Sequence, residues 1–235
     1  MLLAEAEAYF SRPIAPTRRV ALGRLLLPCD PAPGYAGILL GAIAARFTSD
    51  LDDDWHENAL VLMTQIERGM RIVQPRMRHR LQDDRVGLRP CSHRLLTSDG
   101  TLDFDFAVDK GTPAQHTLSA IYAAGTVPWS ARAAVMDAVR KGLRWNNTIG
   151  PSLIAHLSGR TSSFALSSEA IGDPVSWALG VLDLRDGKAD AIDAKQVQRA
   201  FRSQLRDAHP DHGANDDGAA QRIAELTEAR RILLG

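Results

Sequence analysis

In several stretches of the chain apolar positions recur at intervals of three and four, the spacing that gathers side chains on one face of an α-helix. Ala59, Leu62, Met63, Ile66, Met70 and Val73 form one such stripe. Pro75 ends it, because a proline ring disfavours helical backbone in the residue before it. Gly37 to Ala45 is apolar throughout, but falls well short of the roughly 20 residues that cross a bilayer. It reads as a core helix in which Gly37 and Gly41 have the small-xxx-small spacing of closely packed helices. Another helix starts at Pro128, a residue suited to a first turn, and runs through Ala134, Val135, Ala138 and Val139 to Trp145, where Asn146 and Asn147 stop it. One stretch has period two instead. Leu102, Phe104 and Phe106 alternate with Asp103 and Asp105, and the Asp99-Gly100 turn joins them to Leu95 and Leu96, which predicts a β-hairpin. The fold class expected is mainly α: a mostly helical N-terminal domain with one small β-hairpin, followed by a helical C-terminal domain.

The boundary lies in a small, polar stretch with Ser158, Gly159, Thr161, Ser162, Ser163, Ser167, Ser168 and Gly172. This composition suggests a linker. The domains expected are 1–157, a Ser-rich linker over 158–172, and 173–235. In the last of these, Val197, Ala200, Phe201, Leu205 and Ala208 share one helical face, with Asp193 as N-cap and Gln196 in the capping-box position. Lys195, Arg199, Arg202 and Arg206 lie on the opposite side, within about 60° of one another at the roughly 100° advance of an α-helix. The helix should stop near Ala208, since His209 precedes Pro210, and the turn His209-Pro210-Asp211 follows directly. After a polar loop, Ala219, Ile223, Leu226 and Leu233 mark a second helix, which a loop of this length would fold antiparallel onto the first. Asp173-Pro174 opens a third helical stretch in which Trp177, Val181 and Leu182 cover the open side of the pair.

Together these features make Asp173 to Gly235, about a quarter of the chain, resemble the J domain of the DnaJ-like co-chaperones. The likeness is carried by Asp173-Pro174 through Leu184, by the basic helix with Ala200-Phe201-Arg202, by His209-Pro210-Asp211, and by Ile223, Leu226, Glu228-Ala229 and Leu233. It implies a three-helix domain that binds a DnaK-type heat-shock chaperone in its ATP-bound state and stimulates the partner's ATPase. Lys195, Arg199, Arg202 and Arg206 would steer the helix onto an acidic surface. His209 and Pro210 would hold Asp211 in place to pair with an arginine of the partner. The N-terminal domain would recruit a client or a location. There is no Gly/Phe-rich spacer and no Cys-x-x-Cys module, so the architecture is of the divergent, class C-like kind. Asp207, Gln204 and Ser203 depart from the family pattern and weaken the positive face. Arg230 stands where an aromatic is common, and must turn outward or pair with Asp183 or Asp186.

Composition narrows the remaining choices. The 28 basic and 28 acidic residues cancel, so whole-molecule attraction to nucleic acid or an anionic membrane is not expected. The basic stretch of Arg68, Arg71, Arg76, Arg78, His79, Arg80, Arg85 and Arg89 supports an alternative, a nucleic-acid or ribosome-associated protein using the J-like segment as a docking hairpin. Against it, Glu67, Asp83 and Asp84 interrupt the stretch and no stacking aromatic is interleaved. Asp50, Asp52, Asp53, Asp54, His56 and Glu57 could hold a divalent cation but read better as a helix start, where acids complement the dipole. His209, Asp211 and His212 lack the further ligands that a metal needs. Thr101 and Ser130 have no nucleophile-elbow context, and there is no Gly-rich phosphate loop. No enzyme activity, cofactor or metal is therefore expected. Cys29 and Cys91 lie far apart and read as ordinary thiols of a reducing compartment. Met1 to Phe10 lacks the basic flank and apolar core of a secretory signal, so the expected location is the cytoplasm.

Overall fold

The alternation of alanine with acidic residues near the N-terminus builds a strand. In Leu2–Phe10 (β1), Ala4, Ala6, Ala8 and Phe10 are buried on one side, while Glu5, Glu7 and Tyr9 belong to the other. β1 pairs antiparallel with Arg18–Leu26 (β2) and with Arg89–Ser98 (β4). β2 takes the short His79–Leu81 (β3) in parallel, and β4 turns back into Thr101–Phe106 (β5). Asp99 and Gly100 both adopt positive φ, 51° and 78°, as a tight hairpin turn requires. The sheet order is β3-β2-β1-β4-β5.

This computed structural model describes residues 1–159, 167–185, 192–208 and 216–234, and divides into two units, Met1–Ser158 and Gly159–Gly235. It overturns the expectation of a mainly α protein whose strands stop at one hairpin: the chain is α/β, and the hairpin is one edge of a five-stranded mixed sheet. The physical reason is that β1 and β2 are written in Ala, Glu, Arg and Leu, which favour helix locally. Their strand state is imposed by distant partners, with Glu5 opposite both Arg94 and Leu26.

Glu5 shows how the register is held. It is only 7% exposed. Arg94 Nε donates to its carboxylate at 2.8 Å and Ser92 Oγ at 2.9 Å, with Arg24 Nε 3.9 Å away. The Arg94 hydrogen bond above all holds the carboxyl below its ordinary range, against the opposing effect of burial. A one-residue slip of β1 on β4 would part these charges and turn the alanine face outward.

The alanine face receives the helices. Gly34–Phe47 (α1), which contains the apolar run, is buried on nearly every side, as a helix apolar all round must be. It lies against β1 and β4, and packs on Pro113–Ala124 (α3), Trp129–Leu143 (α4) and Pro151–Ser158 (α5). Gly37 and Gly41 form its seam with α4: a Cβ on Gly41 would meet the Ala138 carbonyl oxygen at 2.7 Å. No described helix is long and apolar enough to cross a membrane. Asp53–Glu67 (α2) flanks α4 and is tied to it by an ion pair between Glu67 and Arg140. α2 ends sooner than its apolar stripe predicts. Gly69 turns the chain at φ +67°, and Met70 and Val73 beyond it are 52% and 75% exposed.

The second unit contains Ser168–Gly172 (α6), Pro174–Val181 (α7), Ala194–Asp207 (α8) and Asp216–Leu234 (α9). Part of the stretch expected as a linker is thus helical, and Ala170 of α6 enters the core; residues 160–166 lie outside the described residues. Trp177, Ala178, Val181 and Leu182 from the α7 region, Val197 and Ala208 from the α8 region, and Leu226 and Ala229 from α9 close that core. Phe201 meets Arg230, whereas Gln204, further along α8, meets Arg222, earlier in α9. The two helices therefore run antiparallel. Arg230 does not pair with Asp183, and Asp186 lies outside the described residues; the half-buried Arg230 guanidinium lies 5.0 Å over the Phe201 ring.

Candidate functional site

α8 is held by both its ends and its apolar face. Asp193 accepts a hydrogen bond from Gln196 N at 2.7 Å, and Gln196 Oε1 accepts from Asp193 N at 2.9 Å, a complete capping box. At the other end Ala208 is the C-cap. Val197 is buried, and Ala200 and Phe201 pack on the core. Arg222 of α9 laces the helices together, donating to Val181 O at 3.0 Å and Gln204 Oε1 at 3.4 Å. Gln204, a departure from the J-domain pattern, thus serves the helix contact.

With the apolar face so occupied, Lys195, Arg199, Arg202 and Arg206 all face solvent. None forms an ion pair with another described residue. Four cations over three turns of one helix, without counter-ions among the described residues, form a positive strip whose potential is available to a partner. Ser203 and Asp207 are exposed beside it. His209, Pro210 and Asp211 lie outside the described residues, as does His212; α8 ends at Asp207, one residue before them.

Some of the other sequence candidates take structural roles, while Arg68, Arg71, Arg78, Arg80 and Arg89 of the basic stretch face solvent. Asp52 caps α2, accepting from Trp55 N at 2.7 Å, and Asp53 and Asp54 occupy its first turn. In the basic stretch, Arg76 donates to Gln65, while Arg85 lies 4.8 Å over Tyr9 and donates to Leu22 O at 3.0 Å.

A constellation that the sequence reading missed lies in the first unit. Cys91 and His93, two apart on β4, share its buried face, and His116 joins them from the first turn of α3. A capping box between Thr112 and Gln115 starts α3, and Gln115 Nε2 reaches Ser11 O and Arg19 O, each at 3.2 Å, which fixes this end of the helix over the sheet. His93 Nε2 lies 3.0 Å from His116 Nδ1. Cys91 Sγ lies 3.7 Å from the first and 3.8 Å from the second. Phe47 stacks on the His116 ring at 4.0 Å, and Phe10 meets it edge-on at 4.9 Å. All three polar residues are at most 2% exposed. Burial pushes the Cys91 thiol up to about 12 and His93 down to about 3, with His116 adding to the latter. Burial also brings His116 down to about 4, partly opposed by a hydrogen bond with the Lys110 backbone. At neutral pH the cluster is a thiol with two uncharged imidazoles. The only signal in the sequence is that Cys91 and His93 have strand spacing; His116 is brought in by the fold.

No protein-family model, curated protein or solved structure matches this chain.

Proposed function

We propose that the chain is a co-chaperone whose second unit docks on a DnaK-type heat-shock chaperone in the cytoplasm and stimulates its ATPase, while the first unit recruits a client or a location. The observation that carries this reading is the cationic strip of α8. A helix whose apolar side is committed to α9, and whose other side offers Lys195, Arg199, Arg202 and Arg206 to solvent, is built to be approached by an acidic surface. The helix stops one residue before His209-Pro210-Asp211, so the strip and this acid-bearing tripeptide are adjacent along the chain. In this reading the arginines set the encounter rate, and Asp211 pairs with a partner cation in the complex. Pro210 restricts the backbone beside Asp211, which lowers the ordering cost of that pairing. The nucleic-acid alternative would rest on Arg68, Arg71, Arg78, Arg80 and Arg89, which face solvent, since Arg76 and Arg85 are engaged within the first unit.

The association of the full chain with an ATP-loaded DnaK-type chaperone, measured at two salt concentrations, tests the strip. The association rate should fall as salt rises. Arg199→Glu combined with Arg202→Glu should slow it by at least about tenfold at low salt, with a smaller effect at high salt. Association indifferent to both salt and charge reversal would contradict the role given to α8.

A further inference from the structure

We propose that Cys91 Sγ, His93 Nε2 and His116 Nδ1 form a binding site for a borderline-soft transition-metal cation, of which Zn²⁺ is the type. Three potential ligands from β4 and α3 converge with their donor atoms mutually within 4.8 Å. A tetrahedral zinc ion, with Zn–S about 2.3 Å and Zn–N about 2.0–2.1 Å, requires ligand edges of about 3.6 Å for S···N and about 3.3 Å for N···N. The edges here are 3.7, 3.8 and 3.0 Å. They match that triangle to within about 0.3 Å.

The chemistry of the donors points the same way. Sulfur and imidazole nitrogen without a carboxylate select zinc-like ions over magnesium or calcium. A purely packing role accounts for the cluster poorly. A buried thiol and two buried imidazoles carry a desolvation cost that apolar side chains filling the same space would avoid. The surroundings also give the site rigidity. Phe47 and Phe10 fix the His116 ring, and the chain from Ala107 to Gly111 passes over the cluster, with Ala107 O 3.7 Å from Cys91 Sγ. A Cβ on Gly111 would lie 3.3 Å from His116 Nε2. Gly111 and Phe10 also border a cleft of about 110 Å³ together with Arg89, Asp109 and Lys110. With three protein ligands, the fourth position is left for water or a small ligand. Cys91 binds as thiolate, so each ion bound displaces the thiol proton to solvent. The ion ties the start of α3 to β4.

The test is a titration of the full-length, metal-stripped protein with Co²⁺, followed by Zn²⁺. One equivalent of Co²⁺ should give visible ligand-field bands of tetrahedral intensity and a near-ultraviolet thiolate-to-cobalt charge-transfer band, and one equivalent of Zn²⁺ should abolish both. Cys29→Ser should leave the spectrum unchanged, whereas Cys91→Ser should remove the charge-transfer band. His116→Asn should weaken binding by at least about 100-fold. Zn²⁺ should also raise the melting temperature of the unsubstituted protein, a readout that needs no variant to fold. Folded protein that shows no charge-transfer band, or whose band survives Cys91→Ser and disappears with Cys29→Ser, would overturn the proposal.

Discussion

Gly142→Ala should cost the first unit about 3 kcal/mol and lower its melting temperature by about 6–12 °C. The added methyl would project into the backbone of α1, on the Gly41 carbonyl oxygen and 2.8 Å from its carbonyl carbon, with Ala44 Cβ at 3.1 Å. A side chain can rotate out of such a clash; a carbonyl in the middle of a buried helix cannot. Relief requires α4 to move away from α1, which opens the contact that Gly37, Gly41 and Ala138 make possible. Gly150→Ala is the control. A Cβ there meets nothing within 4 Å and the backbone φ is not positive, so its stability should change by no more than about 0.5 kcal/mol. Thermal unfolding of the two variants checks the pair; equal small changes would mean that the helices do not approach closely at these glycines.

Leu226→Ala should unfold the second unit while sparing the first. Leu226 is fully buried at the centre of the α7, α8 and α9 core. Truncating such a leucine costs about 2–5 kcal/mol, while a single core of this size rarely supplies more than about 3–5 kcal/mol in all. Amide hydrogen exchange provides the readout. Protection in α7, α8 and α9 should be lost, while that of β1 and β4 persists. If it acts as proposed, the variant should also lose chaperone stimulation, because the cationic strip exists only while α8 is helical. Retained protection across α8 and α9 would refute the role assigned to Leu226.

What could be read from the sequence, and what could not, divides along local and non-local physics. α8 announces itself through a capping box, an apolar stripe and a proline stop, all within the eighteen residues from Asp193 to Pro210, and in the fold Asp193 and Gln196 form the capping box and Ala208 is the C-cap. The β4–β5 hairpin is equally local, since the Asp99-Gly100 turn and the alternating phenylalanines are contiguous. β1 is different. Ala4-Glu5-Ala6-Glu7-Ala8 has the residues of a helix and the period of a strand, and only pairing with β4, some ninety positions away, decides between them. The Cys91, His93 and His116 cluster stayed hidden for the same reason: without paired-cysteine spacing, its third member is supplied by the way α3 seats on the sheet. In the basic stretch around Arg76, charge density along the sequence does not reveal which guanidiniums find partners at home: Arg76 and Arg85 do, whereas Arg68, Arg71, Arg78, Arg80 and Arg89 face solvent.

The most direct measurement for the co-chaperone account is single-turnover ATP hydrolysis by a DnaK-type chaperone with and without the full chain. The account predicts an acceleration of at least about tenfold, equivalent to about 1.4 kcal/mol off the barrier. It also predicts that the acceleration disappears in His209→Gln and in Asp211→Asn, with the fold of both variants intact by circular dichroism. An unchanged hydrolysis rate with the folded full chain, or an acceleration that survives both substitutions, would contradict it.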